Sequence, residues 1–115
     1  MTTTDDPRWT LYSGDDRTLL FAVKDAAGLP IDCTTATAIE YRLQHNAGTI
    51  AKSLGQGIDI QQPGGIPRVT LASGDSIGLE TQIADDELDV VLSGKRSTVA
   101  RGKVSIVRSL AEPAL

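Results

Sequence analysis

The feature that most restricts this chain is a period-two alternation of apolar and polar residues that returns along nearly its whole length. Ile39, Tyr41 and Leu43 alternate with Glu40, Arg42 and Gln44. Only an extended backbone sends those two sets to opposite faces, so the stretch predicts a half-buried strand. Leu19, Phe21 and Val23 alternate in the same way over Thr18 to Lys24, with Leu20 and Ala22 implying partial cover of the second face. Val69 and Leu71 point one way over Arg68 to Leu71, as do Leu88, Val90 and Leu92 over Leu88 to Leu92. Weaker strand signals cover Trp9 to Tyr12, Thr49 to Leu54 and Ile58 to Gln61. The last strand, Ser97 to Arg108, is long. Val104 and Ile106 share a face there but Val99 is out of phase, which predicts a bulge or kink near Gly102.

Turn residues punctuate these runs: Ser13-Gly14-Asp15-Asp16, Asp25-Ala26-Ala27-Gly28, Gln62-Pro63-Gly64-Gly65 and Ser93-Gly94-Lys95-Arg96. Asn46-Ala47-Gly48 predicts a hairpin between two neighbouring strands. Ser73 to Leu79 breaks the alternation, carries a capping Ser or Asp, and predicts one helical turn crossing between sheets. The whole predicts an all-β fold, an antiparallel β-sandwich of about seven to eight short strands with one short helical turn. Residues 9–108 form the sandwich; residues 1–8 and 109–115 read as an N-terminal and a C-terminal arm.

A length of 115 residues fits one domain with a core of its own. Aromatic residues make up only 3% of the chain, so that core must be aliphatic. A net charge of −4 with scattered bases argues against nucleic-acid binding, which needs clustered Lys and Arg to neutralise phosphates. The start of the chain is polar and acidic, without the basic and apolar regions of a signal peptide. No apolar run approaches the ~20 residues that span a bilayer. The expectation is a protein made in a cytoplasm, with no membrane partner.

Catalytic chemistry finds little to work with. Cys33 is the one cysteine, which rules out an internal disulfide and reads as a small buried thiol. A nucleophile needs a base, and the one histidine, His45, lies in the loop-like stretch Gln44 to Gly48. Gly55-Gln56-Gly57 and Gly64-Gly65 do not precede helices and so make no phosphate loop. Asp85, Asp86, Glu87 and Asp89 read as a solvated acidic loop, although Leu88 and Val90 commit part of it to a strand. A hard cation also wants clustered oxygens, but the spacing is not that of a calcium loop. The chain is expected to be non-enzymatic, with no catalytic, cofactor or metal residues and no small-molecule substrate. Candidate interface residues are Trp9, Arg96, Arg101 and Arg108. Trp9 either caps the core or anchors a partner. The three arginines either pair with acids across an interface or guard an edge strand against unwanted pairing.

The order of these features resembles a known family, the immunoglobulin-like domain at the N-terminus of phage baseplate upper proteins and of small phage structural proteins. The likeness runs from about Trp9 to Val107. Gly14-Asp15-Asp16-Arg17-Thr18-Leu19 leads into a strand, and Asp25-Ala26-Ala27-Gly28-Leu29-Pro30-Ile31-Asp32 resembles the turn that follows it. Ala38 to Leu43 resembles the central strand, Val69-Thr70-Leu71 with Asp75 the step before the helical turn, Glu87 to Leu92 the next strand, and Val99 to Ile106 the closing one. Asp85-Asp86 stands where the family carries an aromatic. The resemblance implies an immunoglobulin-like sandwich in a bacteriophage virion structural protein of the tail, baseplate, neck or capsid decoration. It would be assembled in the host cytoplasm among other phage structural proteins and copies of itself. The alternative is a carbohydrate- or host-surface-binding sandwich, which would expose aromatics to stack on sugar rings.

Overall fold

The computed structural model describes residues 8–110. Its centre is β3, Ala38–His45, where Ile39, Tyr41 and Leu43 are buried and Arg42 and Gln44 face solvent, as the alternation requires. Around it lie β1 (Trp9–Tyr12), β2 (Arg17–Leu20), β4 (Gly48–Leu54), β5 (Gly57–Gln61), β6 (Ile66–Leu71), β7 (Gln82–Leu92) and β8 (Lys95–Val107). One four-residue helical turn, α1 (Ser73–Ser76), joins β6 to β7. The fold is all-β with eight strands, in the upper part of the expected range.

The strands form one sheet in the order β1-β8-β7-β3-β4-β5-β6-β2. It curls until its two end strands, neighbours in sequence, nearly meet. Arg17 on β2 spans the gap: its guanidinium lies 5.1 Å from the centre of the Trp9 ring on β1 and donates to the Thr10 carbonyl at 3.0 Å. Most ladders are antiparallel. Two are not: β1 runs parallel to β8, and β4 touches β5 in a short parallel pairing of Ser53 with Gly57 and Leu54 with Ile58. The enclosed core is mostly aliphatic, with Leu11, Ile39, Leu43, Ile58, Leu71, Leu88 and Ile106 among its largest members and Tyr41, Cys33 and Asp86 buried among them.

The connections show what the turn residues do. Asp25 Oδ1 accepts the backbone N–H groups of Ala27 and Leu29 at 2.9 and 3.0 Å, closing the turn after β2. The turn between β1 and β2 is tied to α1, because Ser76 Oγ accepts the Gly14 N–H and Asp16 accepts the Ser73 N–H. Asp75, the third residue of the turn, accepts the Ala72 N–H at 2.7 Å and so caps the backbone donor at the start of the turn. Gly65 has φ +63°, and a Cβ there would fall 1.8 Å from the Asp32 carboxylate and 2.7 Å from the Cys33 amide. Glycine alone lets that backbone approach, which is fixed by a 2.9 Å bond from the Cys33 N–H to the Gly65 carbonyl.

Several expectations need correcting. The strand placed over Thr18 to Lys24 ends at Leu20, after which the Phe21 N–H bonds Pro67 and only an isolated Lys24–Pro30 bridge remains. The burial phase persists without the ladder, since Val23 is buried, but Leu20 and Ala22 face solvent, so the second face is not covered. The irregularity of the last strand is at Val99, not near Gly102: Leu88 pairs with Ala100 and Asp89 with Thr98, leaving Val99 as the extra residue. His45 is the last residue of β3, its Nδ1 accepting the Ala47 N–H at 3.1 Å in the hairpin. The acidic run is no loop. It lies within β7, which begins at Gln82. Of the expected arms, residues 1–7 and 111–115 lie outside the described residues. Arg8 is bound to the body of the fold, its N–H on the Lys103 carbonyl at 2.8 Å, and the Ser109 N–H donates to Ser13 Oγ at 2.9 Å.

Candidate interaction face and the carboxylate behind it

Alternation along β7 divides its acids between two environments. Asp86 shares the inward phase of Ala84, Leu88 and Val90, and is 1% exposed. Asp85, Glu87 and Asp89 project outward. A buried carboxylate without partners would be strongly destabilising, and Asp86 is fully provided for. Tyr41 Oη donates to it at 2.9 Å, Trp9 Nε1 at 3.3 Å, and the Arg8 guanidinium forms its ion pair. Burial, then the Asp86 charge and hydrogen bond, push the Tyr41 phenol far above its ordinary value, so it remains a donor. Gly102 lies opposite Asp86 in the ladder, and a Cβ there would come within 2.3 Å of Arg8 Nε. The Arg8 side chain reaches its carboxylate across the space that the missing Cβ leaves.

The outward acids belong to a face made by β3, β7 and β8. Registry sets it out in rows: Gln44, Asp85 and Lys103; Arg42, Glu87 and Arg101; Glu40, Asp89 and Thr98. The bulge at Val99 makes this face possible. Without the extra residue, Arg96 and Thr98 would fall in the opposite phase to Arg101 and Lys103. With it, four bases (Arg42, Arg96, Arg101, Lys103) share one surface with four carboxylates (Glu40, Asp85, Glu87, Asp89). The face is balanced in charge, although the chain carries −4. Asp89 is the most enclosed of its acids, accepting from Arg96 at 2.7 Å and from Thr98 at 2.8 Å, with Arg42 at 3.7 Å. Burial raises its carboxyl, but the hydrogen bonds from Arg96 and Thr98 and the Arg96 charge outweigh that and hold it below the ordinary value. Lys103 bonds Asp85 at 2.6 Å. Beyond that row the face turns apolar, with Ile83 and Tyr12 exposed and Val107 half-buried.

The four residues singled out from the sequence have different fates. Trp9 is half-buried, packs on the core and serves Asp86 and Arg17 within its own chain. Arg96 pairs with Asp89, and Arg108 with Glu80 at 2.5 Å, so both acidic partners are internal. Arg101 is exposed opposite Glu87 and, among the described residues, makes no ion pair within 4 Å. Arg96 and Arg101 stand beside an open strand edge, because among the described residues the part of β8 before Lys103 pairs with β7 alone; β1 covers only Val104 to Val107, and Arg108 lies just past the end of β8.

The acids of β7 do not converge on a cation. Asp86 points into the core, away from Asp85, Glu87 and Asp89 on the outer face, and no group of three or more His, Cys, Asp or Glu is placed to hold a metal among the described residues. Cys33 is completely buried, and burial followed by the Asp32 charge raises its thiol, the opposite of what a nucleophile needs. Of the aromatics, Trp9 and Phe21 are half-buried and Tyr41 is buried; Tyr12 alone is largely exposed. A sugar-stacking platform would have that single ring. No helix among the described residues is long and apolar enough to cross a membrane. No known protein-family model matches the chain, and no curated protein shows significant sequence similarity to it.

Proposed function

We propose that this chain is a non-enzymatic structural component of a bacteriophage particle, a protein–protein interaction module of the tail, baseplate, neck or capsid surface. The observation that carries the interaction role is the outer face of β3, β7 and β8. It is charge-balanced, backed by a buried polar anchor at Asp86, and bordered by exposed Tyr12 and Ile83. A rigid surface of this kind binds with little ordering cost. In a particle, each contact can be weak, because many copies bind together. The phage assignment is supported by the ordered motifs of the sequence. Two of them have plain structural work in the fold: Gly14 and Asp16 hold α1, and Asp25 closes its turn. On this reading the protein works in the virion, among other structural proteins and copies of itself, after assembly in the host cytoplasm.

The test is mass spectrometry of purified particles from cells producing this chain, followed by its localisation in the intact particle. The proposal expects stoichiometric, multi-copy incorporation. Its absence from particles overturns the assignment.

A further inference from the structure

We infer that the outer face of β7 and β8 is the contact surface for a second copy of this chain, in an isologous dimer whose two-fold axis runs between these strands and roughly along them. The inference rests on the assembly role proposed above and names the partner and the surface.

The argument is geometric. Carboxylates stand in a column on β7 and bases in the adjacent column on β8, at matching heights: Asp85 beside Lys103, Glu87 beside Arg101. A two-fold rotation about an axis lying between two facing sheets and parallel to their strands places the β7 of one copy over the β8 of the other, without changing height. Asp85 and Glu87 of one copy then face the bases at positions 103 and 101 of the other, while Asp89 faces the hydroxyl at position 98. A face built this way is complementary to itself, which is the requirement of an isologous contact. Sheets packed about 10 Å apart leave room for an Arg and a Glu to meet.

Two further observations favour a copy over an unrelated partner. The chain carries −4, so its surface as a whole repels its own kind, yet this face is neutral. Its middle row also contains Arg101, exposed and lacking an ion pair among the described residues. The strands of the face, β1, β3, β7 and β8, hold 4, 8, 11 and 13 residues, and at about 3.3 Å along and about 4.8 Å across per residue they cover roughly 570 Å² of flat area. A stable specific interface takes about 800 Å² from each partner, so the contact expected here is a weak, concentration-dependent one. Ile83 and Tyr12 at the end of the face supply apolar contact that charge pairs alone do not.

The experiment measures the mass of the purified full-length chain in solution, by sedimentation or light scattering, for wild type, Arg101→Glu, Glu87→Arg and an equal mixture of the two variants. Wild type should double its mass as concentration rises, and added salt should weaken the association. Each variant alone brings like charges together twice across the axis and should weaken the dimer about tenfold or more. In the mixture, the first variant carries acids at both positions and the second carries bases at both. Position 87 of either copy then meets an opposite charge at position 101 of its partner. The mixture should therefore recover a dimer with one copy of each. A wild type that stays monomeric at high concentration overturns the inference. So does a dimer indifferent to both changes, or a mixture of two folded variants that fails to associate. A monomeric wild type found in particles removes the self-contact and leaves the structural role standing. A charge-dependent dimer absent from particles does the reverse.

Discussion

At the scale of single residues, the chain is held by a carboxylate that its neighbours in sequence disguise. Asp86 sits in an acidic run that reads as solvated, yet it falls in the phase of Leu88 and Val90 and is buried. That phase was the legible signal. Its partners were not legible, because Arg8, Trp9 and Tyr41 lie 78, 77 and 45 residues away and only the folded sheet brings them together. Gly102 belongs to the same unit, since a Cβ at that position would collide with the Arg8 side chain. Gly102→Ala should therefore displace Arg8 from Asp86 and destabilise the protein by about 1–3 kcal/mol, the cost of leaving a buried charged acceptor short of a partner. In an Arg8→Ala background there is no side chain to displace. There the same change should be neutral or slightly stabilising, because alanine suits a strand better than glycine. Urea titrations of the four proteins in this cycle measure the coupling. Additive effects would mean that the glycine and the arginine act independently.

At the scale of elements, alternation was enough to find most strands but not their neighbours. The inward sets of β3, β6 and β8 match the buried residues, since each side chain's face depends only on local backbone geometry. The pairing of β1 with β8 and β2 with β6 joins distant segments, so no local pattern records it. The bulge was legible as a phase error, while its place was misread because Gly102 is the conspicuous residue and Val99 the one that slips. Glycine at 102 answers to Arg8, not to the bulge. The approach of the two end strands also depends on a long-range contact, that of Arg17 with the Trp9 ring and the Thr10 carbonyl. Arg17→Ala should loosen this seam by about 1 kcal/mol. Hydrogen exchange gives the readout: β1 amides should exchange several-fold faster while those of central β7 stay protected. Uniform acceleration across both strands would show that the residue supports the whole fold and not the seam.

At the scale of the whole molecule, one continuous sheet carries every strand, so an ionisation that weakens one ladder is felt in the stability of the entire fold. Asp89 makes this measurable. Its carboxyl is held below the ordinary value by Arg96 and Thr98 against the opposing effect of burial. An unfolded chain returns it to about 3.9. Between those two values the unfolded state binds more protons, so stability falls with acidity there. The contribution of Asp89 is fully present above the ordinary carboxylate value and is lost as pH falls through the depressed one. Asp89→Asn should thus cost about 1.5–3 kcal/mol at neutral pH, the range for hydrogen bonds to a charged group. The gap between wild type and variant should narrow as pH drops below about 4. Some acid sensitivity should survive in the variant, because Asp59 and Asp32 are also lowered, the first by hydrogen bonding to Arg68 and the second by Thr34. Thermal or urea unfolding of both proteins across the acid range tests this. Converging curves place the proton linkage at Asp89, whereas parallel curves would mean that its pairing with Arg96 adds nothing that protonation can remove.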